Sequence, residues 1–170
     1  PVEYLTTSKK FSSAYIKRCP HNFLLENGET FSIRTFKGNG KMFAPKVVGQ
    51  AGDETFNHFF GDLYSDRIDR SNFKVFCLTK INEILPIVVD YALVSDHNCW
   101  FYKEDDNFKY EFIKRDDLPD LTYNSLDFSF TKPTIQRWNE SNTVKYKGKT
   151  VLELQLHNNR SGFKIRLHRE

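Results

Sequence analysis

The last twenty residues alternate with a period of two. Leu152, Leu154 and Leu156 are interleaved with Glu153, Gln155 and His157, and Phe163, Ile165 and Leu167 with Lys164, Arg166 and His168. Successive side chains on a strand point to opposite faces. Two such runs around the turn-forming Asn158-Asn159-Arg160-Ser161-Gly162 therefore predict an antiparallel hairpin, aliphatic on one face and polar on the other. A slip of one residue would turn all six large side chains to water, so the register is tightly specified. A chain that ends this way needs a core beneath its final sheet.

The preceding segments predict how that core is closed. Asn27-Gly28 between Phe23-Leu24-Leu25 and Phe31-Ser32-Ile33-Arg34 is a hairpin signal, since both turn positions favour positive φ. Lys37-Gly38-Asn39-Gly40-Lys41 reads as a loop without the spacing of a phosphate-binding one. Phe56, Phe59, Phe60, Leu63 and Tyr64 recur at helical spacing behind Asp53 and Glu54, predicting a helix over about 53–64. Strands are expected at Phe73–Thr79, Ile84–Val94, Trp100–Tyr102 and Phe108–Ile113, with Lys103–Asn107 turning between the last two. Asp116–Asp127 reads as a connection, and a short helix near Pro133 is expected to carry Ile135 and Trp138 inward. Thr143–Lys147 then meets Gly148-Lys149 and the final hairpin. The fold class expected is α+β: mostly antiparallel sheet, one principal helix and a C-terminal β-hairpin.

At 170 residues, 39% of them hydrophobic and 16 of them Phe, a single folded domain over 1–170 is expected, as a piece of a longer chain given that it opens on Pro rather than Met. The longest apolar run, Ile84–Val89, is interrupted by Pro86 and far too short to cross a bilayer, so no membrane partner is expected. Cys19, Cys77 and Cys99 are odd in number and widely spaced, which suits unpaired thiols in a reducing compartment. With no signal-peptide pattern, the expected location is cytoplasmic.

The formal net charge is only +3, yet it is unevenly distributed. From Lys132 to Glu170 there are nine Lys and Arg against three Glu, while the remaining residues hold 16 basic and 19 acidic side chains. A basic C-terminal segment on a neutral body points to an anionic partner. Lys145, Lys147, Lys149, His157, Arg160 and Arg166 are the candidate nucleic-acid contacts. Aromatics interleave with cations at Phe11, Tyr15, Lys17 and Arg18, and again around Trp138 and Tyr146, where bases could stack. Asp90 lies within an apolar run, where a buried carboxylate would need a partner, and Asp96 and His97 close that run. Ser95, Asp96 and His97 are no hydrolytic triad, because neighbours on a strand face opposite ways.

The polar face of the terminal hairpin offers an acid, an amide and cations side by side. Val151-Leu152-Glu153-Leu154-Gln155 resembles the catalytic strand of PD-(D/E)xK nucleases, in the variant where Gln replaces the Lys. The resemblance implies a metal-dependent, restriction-type DNA endonuclease using Mg²⁺, with double-stranded DNA as partner and a homodimer among the arrangements expected. It implies Glu153 as a metal ligand and Gln155 positioning the attacking water, and in such a nuclease Lys164 and Arg166 are expected near the scissile phosphate. The upstream acid stays open among Glu140, Asp127, Asp96 and Asp90, with Asp90 and Asp96 as the candidate metal ligands beside Glu153. In that family a crossover helix usually follows this strand, whereas here a hairpin does. A non-catalytic DNA-recognition domain like the B3-type pseudobarrels of some restriction enzymes, or a protein-interaction domain, fits the same pattern of many strands and few helices.

Overall fold

The computed structural model describes residues 3–4, 21–36, 40–45, 48–156 and 162–169. In chain order its elements are β1 (Glu3–Tyr4), β2 (Phe23–Leu24), β3 (Thr30–Thr35), β4 (Met42–Phe43), β5 (Gln50–Ala51), α1 (Asp53–Phe60), α2 (Phe73–Ala92), β6 (His97–Glu104), β7 (Asn107–Lys114), β8 (Phe128–Phe130), β9 (Ser141–Tyr146), β10 (Lys149–Gln155) and β11 (Phe163–His168). The class is α+β with antiparallel-rich sheets. The chain divides into two compact units, Pro1–Lys41 with Asp90–Asp120 and Met42–Val89 with Leu121–Glu170.

The first unit is built on a sheet of order β1-β2-β3-β6-β7. Among the described strands only β3 and β6 run parallel, from Phe31 beside His97 to Thr35 beside Phe101. A parallel pair needs a long crossover, and the whole segment from β4 to α2 supplies it. The β2–β3 hairpin forms as the sequence predicts, with one difference at its turn. Leu25 N–H donates to Glu29 O at 2.8 Å, so the loop has three residues. Gly28 alone adopts positive φ, at 87°, while Asn27 does not. The β6–β7 hairpin is longer than predicted and closes on Asp105-Asp106, both at positive φ. One face of this sheet buries Ser32, Asn98, Trp100 and Tyr102. Phe36 packs edge-on against both Trp100, at 6.0 Å, and Tyr102, at 6.5 Å.

The second unit carries the C-terminal sheet, ordered β4-β11-β10-β9-β8, with β5 also pairing with β11. The terminal hairpin forms with its aliphatic side chains on one face, as predicted, and its register sets Leu154 opposite Ile165 and Leu152 opposite Leu167. Leu152, Leu154, Leu156, Phe163, Ile165 and Leu167 are all buried. Phe163 stacks on Phe73 at 4.4 Å and meets Phe56 at 4.6 Å, so the phenylalanines of both helices cover the aliphatic face of the sheet. Gly162 enters β11 at φ 114° with Ala51 O so close that a Cβ would lie 2.8 Å from it.

Two expectations are corrected here. The strands predicted at Phe73–Thr79 and Ile84–Val94 are one helix, α2, which breaks from helical geometry at Lys80 and contains Pro86. Phe73, Phe76, Cys77, Ile81, Ile84, Leu85, Val88 and Ala92 are its buried side chains, spaced by three and four residues as a helix requires. The β-branched run and Pro86 disguised that period. The segment after Pro133 forms a single turn, closed by Trp138 N–H on Thr134 O at 3.1 Å, rather than a helix. It does carry Trp138 into the core, but Ile135 remains exposed. Cys77 and Cys99 are free and buried, and burial raises both thiol pKa values, that of Cys77 strongly. Cys19 lies outside the described residues. No described helix is long and apolar enough to cross a membrane.

Candidate nucleic-acid interface

The link between β9 and β10 is the two-residue turn Lys147-Gly148, with φ of 48° and 80° and Tyr146 opposite Lys149. Two consecutive positive φ values are the mark of a type I′ turn, whose twist matches that of the strands it joins. The result is a tight hairpin with Lys145, Lys147 and Lys149 on and beside its tip, Lys145 on the face of Thr150 and Lys149 on that of Tyr146, and with β8 paired along β9 as far as Tyr146. Lys147 and Lys149 are exposed and Lys145 is half-buried. Tyr146 anchors the tip in a ring cluster, 5.1 Å from Tyr123 and 4.9 Å from Phe128. Burial, and then the neighbouring Tyr146, holds the Tyr123 phenol above its ordinary pKa. Lys147 N–H donates to Asp127 O at 2.9 Å, and its ammonium lies 3.7 Å from the Asp127 carboxylate. The tip is thereby tied to the 3-10 turn Ser125–Asp127, where Leu126 is 89% exposed.

Below the tip, the outer face of β10 and β11 is polar and half-buried. Glu153 stands opposite Arg166, and Gln155 opposite Lys164. Glu153 Oε2 accepts from Arg166 at 2.9 Å, and Oε1 accepts from the Gln155 amide at 2.8 Å. Thr143 and Ser141 on β9 face the same two residues, and Gln50 on β5 flanks Lys164. The four predicted residues are thus brought together, as an ion pair with an amide at its side. This donor set does not fit Mg²⁺. A hard divalent cation takes about six oxygens, usually including more than one carboxylate, whereas both oxygens of Glu153 are engaged and one of them faces a guanidinium. Among the described residues, no group of three or more His, Cys, Asp or Glu could hold a metal ion.

Asp90 and Asp96 belong to the first unit and Glu153 to the second. The expectation of a buried Asp90 in a strand is corrected, since it sits exposed near the end of α2 and pairs with Arg115. A helix turns every fourth residue outward, which leaves room for a charge in an otherwise apolar run. Asp96 is exposed too and accepts from Thr30 N–H and Oγ1, both at 2.7 Å. The Thr30 hydroxyl, then its backbone N–H, hold the Asp96 carboxyl below its ordinary pKa. His97 pairs with Glu29 at 2.8 Å. His157 and Arg160 lie outside the described residues, as do Phe11, Tyr15, Lys17 and Arg18. Trp138 is fully buried and offers no face for a base.

Sequence reasoning missed two arrangements. One is a buried chain in which the Ser95 hydroxyl bonds His21 Nδ1 at 2.8 Å and Ser32 Oγ at 2.6 Å. Nothing local in the sequence links residues so far apart. The other is a row of exposed rings on the first unit, Phe108, Tyr110 and Phe112 on β7 with Phe101 beside them. Its signal was present in the alternation Phe108-Lys109-Tyr110-Glu111-Phe112, but that pattern alone does not say which face is wet. No family model, no curated protein and no solved structure matches this chain.

Proposed function

We propose that the second unit binds double-stranded DNA through the β9–β10 ribbon and does not itself cleave it. The observation that carries this reading is the placing of three lysines, Lys145, Lys147 and Lys149, on and beside one tight two-residue turn. The β9–β10 hairpin, flanked on one side by β8 and Asp127, meets the duplex as the end of a sheet. Lysines at its tip suit phosphates on either side, and a type I′ turn presents them without a flexible loop to order. Leu126, exposed beside the tip, suits apolar contact with a thymine methyl group.

The second reading is phosphodiester hydrolysis at Glu153. It is favoured by one observation, the shared half-buried face of Glu153, Gln155, Lys164 and Arg166. The Arg166 pairing and the single carboxylate weigh against it.

A gel shift with duplex DNA in Ca²⁺, run beside plasmid cleavage with and without Mg²⁺, tests both. The expected result is a shift with no cleavage. Cleavage that Glu153→Gln abolishes would transfer the conclusion to hydrolysis. Neither shift nor cleavage would remove DNA from the function altogether.

A further inference from the structure

Strand β7 is the outermost strand of the first unit's sheet, and no described strand pairs with its other side. It runs for eight residues without a bulge or proline, in continuous register with β6 from His97–Lys114 to Glu104–Asn107. All but one of its residues are exposed. An edge this long and regular is a template for another strand, and edges that stay single are usually shortened, bulged or broken by proline.

The backbone directions on that edge follow from two bonds. Phe101 O accepts from Phe36 N–H at 3.0 Å, on the β3 side of β6. Tyr110, opposite Phe101, is therefore in a non-hydrogen-bonded pair, and its own N–H and C=O point away from β6. Arg115 N–H on Asp96 O, at 3.0 Å, gives the same alternation one end along. Phe108, Tyr110 and Phe112 thus turn their peptide groups to the free edge.

We infer that β7 is the seam of a two-fold dimer, pairing antiparallel with β7 of a second copy and with Tyr110 on the axis. Three symmetric registers centre on the middle of the strand, and charge separates them. Centring on Lys109 sets Lys against Lys, and centring on Glu111 sets Glu against Glu, both unfavourable directly across a ladder. Centring on Tyr110 sets Lys109 opposite the other copy's Glu111 twice, on one face. On the other face it sets Phe108 opposite the second Phe112, so the exposed rings form one continuous strip. It also brings the three outward peptide pairs into hydrogen-bonding positions. Within the chain Lys109 already pairs with Glu104, and Glu111 accepts from the Tyr102 hydroxyl. An ammonium with three donors and a carboxylate with about four acceptor sites have capacity for the second contact.

Sedimentation across a concentration series tests the seam. The unmodified chain should be a dimer that dissociates on dilution. Lys109→Glu and Glu111→Lys, each creating two like-charge pairs, should each weaken association by about tenfold or more. Lys109→Glu combined with Glu111→Lys should restore it, because only the Tyr110-centred register exchanges the two positions. Thermal melting of each variant confirms folding. As an independent geometric readout, Tyr110→Cys should form a disulfide-linked dimer on mild oxidation, since hydrogen-bonded partners stand about 5.5 Å apart at Cα. Phe108→Cys, which faces a different residue, should not. A monomer at every concentration overturns the inference. So does association that survives the single charge reversals, a double reversal that fails to restore it, or cross-linking at Phe108 rather than Tyr110.

Discussion

At the scale of single residues, the best-determined groups are those whose neighbours leave them no alternative. His21 is one. Burial holds its imidazole below the ordinary pKa; Asp96 opposes that shift and Arg34 adds to it weakly. In the unfolded chain the ring titrates near about 6.5, so below that pH the unfolded state binds the proton more readily. Stability should therefore fall as pH drops below about 6.5, and be fully present above it. Asp96 and Glu29, whose pKa values are lowered by hydrogen bonds from Thr30 and His97, lose their contribution only in the more acidic range. Denaturant unfolding at pH 7.5 and 5.5 should show the loss, and His21→Asn should shrink it. Gly162 is another fixed position. A side chain there meets positive φ and the Ala51 carbonyl together, so Gly162→Ala should cost about 3 kcal/mol. Gly28→Ala has open space around it and should cost only about 1 kcal/mol. Equal unfolding midpoints for the two variants would mean that the close approach at Gly162 carries no weight.

Among the elements, period decided what could be read. The terminal hairpin was legible because six large side chains alternate without exception, and α1 because Phe56 and Phe60 fall one turn apart. The turn read at Gly148-Lys149 lies one residue earlier, at Lys147-Gly148, and Asp105-Asp106 closes the turn read over Lys103–Asn107. Helix α2 was misread as strands because it is apolar almost all round, and Ile87-Val88-Val89 after Pro86 has the composition of a buried strand. Adjacent valines test which face of the helix is buried. Val88 is fully buried and Val89 only partly so. Val88→Ala should cost about 2 kcal/mol and Val89→Ala under about 1 kcal/mol. Denaturant midpoints in the reverse order would contradict the helix's orientation. At the candidate site, Glu153, Gln155, Lys164 and Arg166 were correctly grouped because alternation alone puts them on one face. Their pairing with one another was not legible, since it depends on the cross-strand register that sets Arg166 beside Glu153. Asp90 was misplaced by the same misread helix.

For the whole molecule, the two units present different surfaces, one an aromatic edge and the other a lysine-tipped ribbon. Of the nine Lys and Arg in the last 39 residues, Lys145, Lys147 and Lys149 lie at the ribbon tip and Lys164 and Arg166 on the polar face of β10 and β11. Contacts of these two kinds respond differently to salt. Charge contacts with DNA release counterions, steepening the logarithmic dependence of affinity on salt by about 0.9 per neutralised phosphate, whereas an apolar contact at Leu126 leaves that slope unchanged. Leu126→Ala should accordingly weaken binding by about fivefold at every salt concentration, consistent with roughly 1 kcal/mol of lost apolar contact. The most direct measurement is the salt dependence of duplex-DNA affinity for the unmodified chain and for Lys145→Gln, Lys147→Gln and Lys149→Gln combined. If the ribbon tip is the contact surface, the combined variant should bind more weakly and its slope should be shallower by about 2–3. An unchanged slope with unchanged affinity would contradict DNA binding through the β9–β10 ribbon.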